Sequence, residues 1–320
     1  MTETLDNYRD TLVEISRLAE QAVNGNADAP DTELVSAPEA PSCIPKSLPP
    51  RLFQKAAEAA VAINPLNAPV LGAMVGAVDL PLEPMHLTLL TSKYWGSQPR
   101  QLTVSFMEST QANLKTRILQ HMNAWSARIG ISFVLTNGTG NVRISRGGGG
   151  YWSYLGTDIR LIPTNRQTMN LQGFTMNTLE SEYHRVVRHE TGHTLGFPHE
   201  HMRRELVARI DPQKAYDYFW RTQGWSKSVV DQQVLTPLDQ ATIIGTPADQ
   251  TSIMCYQLPG SITKDGRPIP GGIDINATDY AFAARIYPRP AHAEAEALPT
   301  RGAPASDWDE SEDVSDPDLT

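Results

Sequence analysis

The run His189-Glu190-Thr191-Gly192-His193-Thr194-Leu195-Gly196-Phe197-Pro198-His199 decides how this chain is read. On a helix, His189 and His193 lie one turn apart on the same face, because each residue advances about 100°. Two imidazoles so placed can grip one ion, and nitrogen donors of this kind suit zinc. Glu190 follows the first of them. Its carboxylate can reach a metal-bound water without being a ligand, take a proton as the water attacks a peptide carbonyl, and later deliver one to the leaving amine. A catalytic site needs a third ligand and one open position. His199 supplies the third, yet a straight helix would carry it about 9 Å further along the axis. The chain must therefore break and turn back. Gly196 can adopt the left-handed conformation that ends a helix, and Pro198 opposes continuation. The bland alternative is a helix carrying HExxH by chance; the glycine and third histidine in register argue against it. His201 reads as a surface residue or a support to the ligands, and His184 as a helix-face residue. His121 and His292 receive no role.

Outward from this run, Tyr183, Val186 and Val187 are spaced for burial on the same helix, which starts near Leu179 with Glu180 and Glu182 in its first turn. Leu102 to Phe106 alternates as a strand does. Leu114, Ile118, Met122 and Trp125 share one helical face. Ile131 to Leu135, Val142 to Ser145 and Asp158 to Ile162 read as further strands, and a glycine run, Gly147 to Gly150, leads into Tyr151-Trp152-Ser153-Tyr154-Leu155-Gly156. Asp211 to Gly224 reads as a helix. So does Thr278 to Tyr287, with Asn276 as cap, Asp279 in the first turn and Pro288 beyond. The order predicts an α/β fold with a sheet packed against two helices.

Residues 4–23 carry apolar positions at helical spacing, a Pro/Ala/Asp-rich stretch follows, and Arg51 to Ile63 reads as an alanine-rich helix. From Arg289 to Thr320 there are nine Asp/Glu and two Arg, a balance of -7, so the other 288 residues carry only -2 of the total -9. The acidity therefore belongs to a tail expected to be disordered, and says little about partners of the folded part. No basic stretch with interleaved aromatics supports nucleic-acid binding, and no apolar run is long enough for a membrane helix. The first residues lack the features of a secretory signal, which leaves localisation open. Two cysteines, Cys43 and Cys255, make no disulfide framework; two free thiols are expected, with a single bridge as the alternative.

The extended motif with a later methionine turn is that of the metzincins. Glu200 after the third histidine, giving HETGHTLGFPHEH, resembles the astacin family of peptidases. Ser252-Ile253-Met254-Cys255-Tyr256, whose methionine lies 55 residues beyond His199 (254 minus 199), is similar to that family's Met-turn, with Cys255 where histidine is usual. The resemblance implies a metzincin-like α/β fold, a twisted mixed sheet packed on two long helices with a C-terminal Met-turn subdomain, and a Zn2+ cofactor held by His189, His193 and His199. It implies Glu190 as general base and Met254 as a floor beneath the zinc. Tyr256 would be the tyrosine that stabilises the tetrahedral intermediate. Ile275 to Pro288 resembles the closing helix, and Gly150 to Gly156 the approach to the edge strand on which the family lays an extended substrate. Glu200 is either a surface charge or part of a buried polar network. The resemblance covers residues 86–288, with 1–85 as a possible inhibitory segment and 289–320 as the tail.

The reading that follows is a zinc metalloendopeptidase acting on a peptide or protein substrate, expected to be a monomer. A non-catalytic zinc-containing peptide-binding module and a zinc amidase are the alternatives. Arg203, Arg204 and Arg209 either favour acidic residues beside the scissile bond or are surface charges. In the family an aspartate of the N-terminal segment blocks the zinc; Asp79 matches that pattern poorly. Cys43 is the other candidate, against the plain reading of a free thiol.

Overall fold

Alternation of buried and open side chains builds the sheet. Strand β1 (Arg100–Phe106) buries Leu102 and Val104, and β2 (Ile131–Leu135) buries Ile131 and Phe133. Strands β3 (Val142–Ser145), β4 (Tyr151–Ser153) and β5 (Met169–Leu171) complete a five-stranded sheet in the order β2-β1-β3-β5-β4. All neighbouring pairs are parallel except β4 with β5, so the sheet is mixed and β4 is an edge strand. The computed structural model describes residue 43 and residues 46–68, 91–237 and 248–290, all within a compact unit beginning at Pro41. The expected helix over residues 4–23, Asp79 and the tail lie outside the described residues.

Helix α1 (Phe53–Ile63) packs Ala56 with Leu48 and Ile162 in a small cluster of its own. Helix α2 (Ala112–Met122) is the crossover that parallel β1 and β2 require. It turns Leu114, Ile118 and Met122 into the main core with Trp125, and Asn123 at its end bonds both backbone groups of Phe133 at 2.9 Å. Helix α3 spans residues 180–194 as a first turn Glu180–Glu182, a π-helical stretch Tyr183–Val187 and an α-helical stretch Arg188–Thr194. Tyr183, Val186 and Val187 are buried, as their spacing predicts.

A second core lies C-terminal to this layer. Helix α4 (Pro212–Gln223) is capped by the Asp211 side chain on Lys214 N and ends at Gly224; its Phe219 stacks on Trp225 at 4.9 Å. Helix α5 (Ala277–Ile286) begins with a capping box between Asn276 and Asp279. The stretch Ile253 to Tyr256 joins the two cores: Ile253 and Met254 pack into the first, Cys255 and Tyr256 into the second.

The strand expected over Asp158 to Ile162 is instead a 3-10 helix, Gly156–Leu161. Thr157 N–H donates to Lys93 O, and the buried Asp158 carboxylate faces the Lys93 ammonium at 3.5 Å. The Thr157 N–H is thereby taken from any strand ladder. The sheet position belongs to β5, three residues buried on both faces and hence without alternation to read. No helix of the described residues is long and apolar enough to cross a membrane.

Candidate metal centre

Helix α3 ends on a Schellman arrangement. Gly196 N–H donates to His193 O at 2.8 Å and Phe197 N–H to Gly192 O at 3.0 Å, with Gly196 at φ +95°. A Cβ on Gly196 would also stand 2.9 Å from Lys93 O, so glycine is required twice over. The chain turns back here and brings His199 to the two histidines of the helix. Its Nε2 lies 3.0 Å from His193 Nε2 and 3.2 Å from His189 Nε2.

The other ring nitrogens set the tautomers. His189 Nδ1 donates to Ile253 O at 2.6 Å and His193 Nδ1 to Phe197 O at 2.8 Å. The Nε2 atoms of both rings therefore present lone pairs to one point. All three rings are buried, and burial lowers their proton affinity, His189 to about 4. Converging lone pairs repel unless a cation sits among them. Tetrahedral zinc with bonds of ~2.05 Å sets nitrogen ligands about 3.3 Å apart, close to the spacing here.

Glu190 is fully buried, and neither carboxylate oxygen has a conventional hydrogen-bond partner among the described residues. Burial pushes it up to about 8, while the neighbouring Cys43 thiol and Arg185 guanidinium pull it back. A thiol is a weak donor. The carboxylate thus lacks the positive partner that a buried acid needs, and a metal on the three histidines would provide it. The donor set fits zinc.

Met254 lies directly against the helix. A Cβ on Gly192 would collide with its sulfur, so the glycine between the two histidines admits the methionine. Ser252 to Cys255 form a tight turn closed by Cys255 N–H to Ser252 O at 2.9 Å. Tyr256 follows, its ring centroid 4.2 Å from that of His199 and its buried hydroxyl without a partner among the described residues. His201 is buried and stacks on Tyr256 at 4.1 Å and 15°. Its Nε2 donates to Gln233 O at 2.9 Å, leaving Nδ1 to accept from Tyr256 N–H at 3.4 Å. The sequence offered two readings of His201; it is the supporting one that the fold realises, and its partner is Tyr256.

Glu200 is no free surface charge. It pairs with Arg203 at 3.0 Å and accepts from Asp249 N–H at 3.1 Å, while its own N–H donates to Met254 O at 2.9 Å. Arg209 is engaged by Asp265 at 3.1 Å and Gln250 at 2.6 Å. Of the three arginines after the motif, Arg204 is the exposed one. Arg185, which precedes the motif, pairs with Glu182 at 2.7 Å and acts electrostatically on Glu190. His121 and His184 both approach Glu180, at 3.1 and 3.4 Å, and His184 also meets Asp274 at 2.9 Å. Both cysteines are free thiols. Cys255 is buried beneath Tyr256, and Cys43 joins the histidine cluster.

Comparison with known proteins agrees with this geometry. The model of the astacin peptidase family matches residues 89–266, more than half of the chain. Among solved structures, one of myroilysin is 31% identical, with a TM-score of 0.58, covering 62% of this chain and 97% of that one. A second, a crystal structure of myroilysin, is also 31% identical, with a TM-score of 0.48 and coverage of 62% and 87%. High choriolytic enzyme 1, a hatching enzyme zinc-protease from the medaka fish Oryzias latipes, is 21% identical, with a TM-score of 0.41 and coverage of 59% and 90%. No curated protein matches. A His-Glu-His helix broken at Gly196, a third histidine folded back onto it and a methionine turn beneath are thus found where the family model matches: the chain belongs to the astacin family of zinc metallopeptidases.

Proposed function

We propose that this protein is an endopeptidase in which His189, His193 and His199 hold zinc and Glu190 moves the protons. One observation carries the reading: three buried imidazoles converge through their Nε2 atoms beside a buried carboxylate that lacks a conventional partner among the described residues. When bound there, zinc supplies a Lewis acid that makes water a nucleophile near neutral pH and polarises a carbonyl. Glu190 accepts the proton of the attacking water on a carboxylate oxygen and returns one to the leaving amine nitrogen. Tyr256 donates its hydroxyl toward the oxygen where negative charge develops, and His201 keeps the ring in place. Edge strand β4 is tied to helix α3 by the Ser153–Thr194 hydroxyl pair at 3.0 Å. An extended peptide adds to that edge through main-chain hydrogen bonds.

Dialysis of the protein against a chelator should abolish cleavage of casein, and one equivalent of Zn2+ should restore it. Release of acetate from acetylated substrates without internal cleavage of casein would instead favour the amidase, and zinc binding without either reaction would favour the binding module.

A further inference from the structure

Among the described residues a second group of ligand-type side chains meets outside the three-histidine centre: His121 from α2, with Glu180 and His184 from the start of α3. One donor atom from each lies within 4.8 Å of the other two. Glu180 and His184 stand four residues apart and so share a helix face, and His121 reaches them from α2. Its Nε2 lies 3.1 Å from Glu180 Oε1, and His184 Nε2 lies 3.4 Å from the same oxygen. Tetrahedral ligands with bonds of about 2.0–2.2 Å stand roughly 3.3 Å apart. The two imidazole centroids are 5.3 Å apart, against 4.5, 4.8 and 5.2 Å within the three-histidine centre.

The surroundings suit a metal ligand set. His184 Nδ1 donates to the Asp274 carboxylate at 2.9 Å, which fixes the tautomer and leaves a lone pair on Nε2. A carboxylate behind a histidine in this way orients it and raises its basicity toward a metal. Arg117 takes the other Glu180 oxygen, Oε2, at 2.6 Å and leaves Oε1 to the rings. Burial holds His121 below the usual imidazole value, so it stays neutral, the form that ligates. His121 is buried, His184 half-buried and Glu180 exposed, so an ion has a path in and solvent can fill its remaining positions. One group competes. Arg188 Nη2 lies 3.2 Å from His184 Nε2, and Arg188 Nε–H donates to His121 Nδ1 at 3.4 Å. An ion displaces both contacts, while Arg188 keeps Asp274 at 2.5 Å. The His121 proton that faces Glu180 then moves to Nδ1 through solvent, and none is released. The arginine charge makes this the weaker of the two sites, so dialysed protein keeps zinc at the three histidines alone.

We infer that His121, Glu180 and His184 form a second binding site for a divalent transition-metal ion of the zinc class, separate from the three-histidine centre. Two imidazoles and one carboxylate suit such an ion better than calcium or magnesium, which take oxygen donors. The ligands join α2 to the start of α3, and His184 belongs to the π-helical stretch Tyr183–Val187 that leads into His189. Loading the site therefore clamps that stretch from outside and stabilises the folded chain by mass action.

The test titrates Zn2+ into the metal-stripped full chain by calorimetry and follows the melting temperature. The wild type should take up two ions, the first tightly and the second more weakly. His184→Ala should lose the weak event, keep the tight one and cleave casein as the wild type does at one equivalent of Zn2+. His121→Gln should lose the weak event as well, and Asp274→Ala should weaken it by about 10–100-fold. His199→Ala should do the reverse, losing the tight event and keeping the weak one. The second ion should raise the melting temperature of the wild type and leave that of His184→Ala unchanged. A second event that survives both His184→Ala and His121→Gln marks an adventitious ion and overturns the inference. Uptake of a single ion that only His199→Ala removes also overturns it, and leaves the peptidase reading standing. Uptake of a single ion that only His184→Ala and His121→Gln remove supports the second site and contradicts the zinc centre proposed for catalysis.

Discussion

The Asp279 carboxylate accepts the N–H of Ile253 at 2.9 Å, and the carbonyl of the same Ile253 accepts from His189 Nδ1 at 2.6 Å. One peptide residue thus links the first turn of α5 to His189, one of the three clustered histidines. Asp279 also takes the Ser252 hydroxyl at 2.6 Å and Asn276 N–H at 3.0 Å, so it caps its helix and shapes the turn under the site at once.

Asp279→Ala should therefore destabilise the protein by about 2–4 kcal/mol, from buried donors left unpaired and a lost cap. It should weaken zinc binding as well, because the carbonyl that orients His189 is released. Denaturant unfolding and competition with a zinc chelator check both effects. Normal stability with normal affinity would show that the turn needs no support from α5.

Gly192→Ala sets two effects against each other. Alanine favours a helix interior over glycine by roughly 0.5–1 kcal/mol. Forcing a methyl group into a packed core costs about 1–3 kcal/mol, and here it would meet the Met254 sulfur. The collision should win, lowering the melting temperature. In a double-mutant cycle Met254→Ala should recover part of the loss; strict additivity would mean that the two side chains do not compete for one space.

These two sites show how far the sequence could be read. The gathering of His189, His193 and His199 with Glu190, Met254 and Tyr256 about them was legible because the chemistry expected of them demands particular residue types at particular spacings, and Gly196 because bringing the third histidine back demands a turn. Strands β1 to β3 and the helices were legible from periodicity, down to the Asn276–Asp279 cap. Strand β5 was not, since a three-residue strand buried on both faces has no alternation, and the 3-10 turn at Asp158 was set by Lys93, distant in sequence. His201 was ambiguous, and Gly192 carried no reading, for a similar reason. Their roles depend on Tyr256 and Met254, which reach them only in the folded chain.

Tyr256→Phe should keep the fold and the zinc and lower kcat by about 10²–10³-fold with little change in KM, as expected for a donor used mainly in the transition state. His201→Ala should lower kcat less. Combined with Tyr256→Phe it should add little, because His201 acts through the tyrosine. Full additivity of the two losses would separate His201 from Tyr256.

The most direct test removes Glu190. Wild type and Glu190→Ala, each with and without Cys43→Ala because that thiol lies within reach of the three histidines, are assayed for bound zinc and for cleavage of casein. One zinc per chain in every protein, with cleavage by the Glu190 form and none above background by its Glu190→Ala counterpart, is the predicted result. Undiminished cleavage after Glu190→Ala, or a folded protein that holds no zinc, would contradict the account.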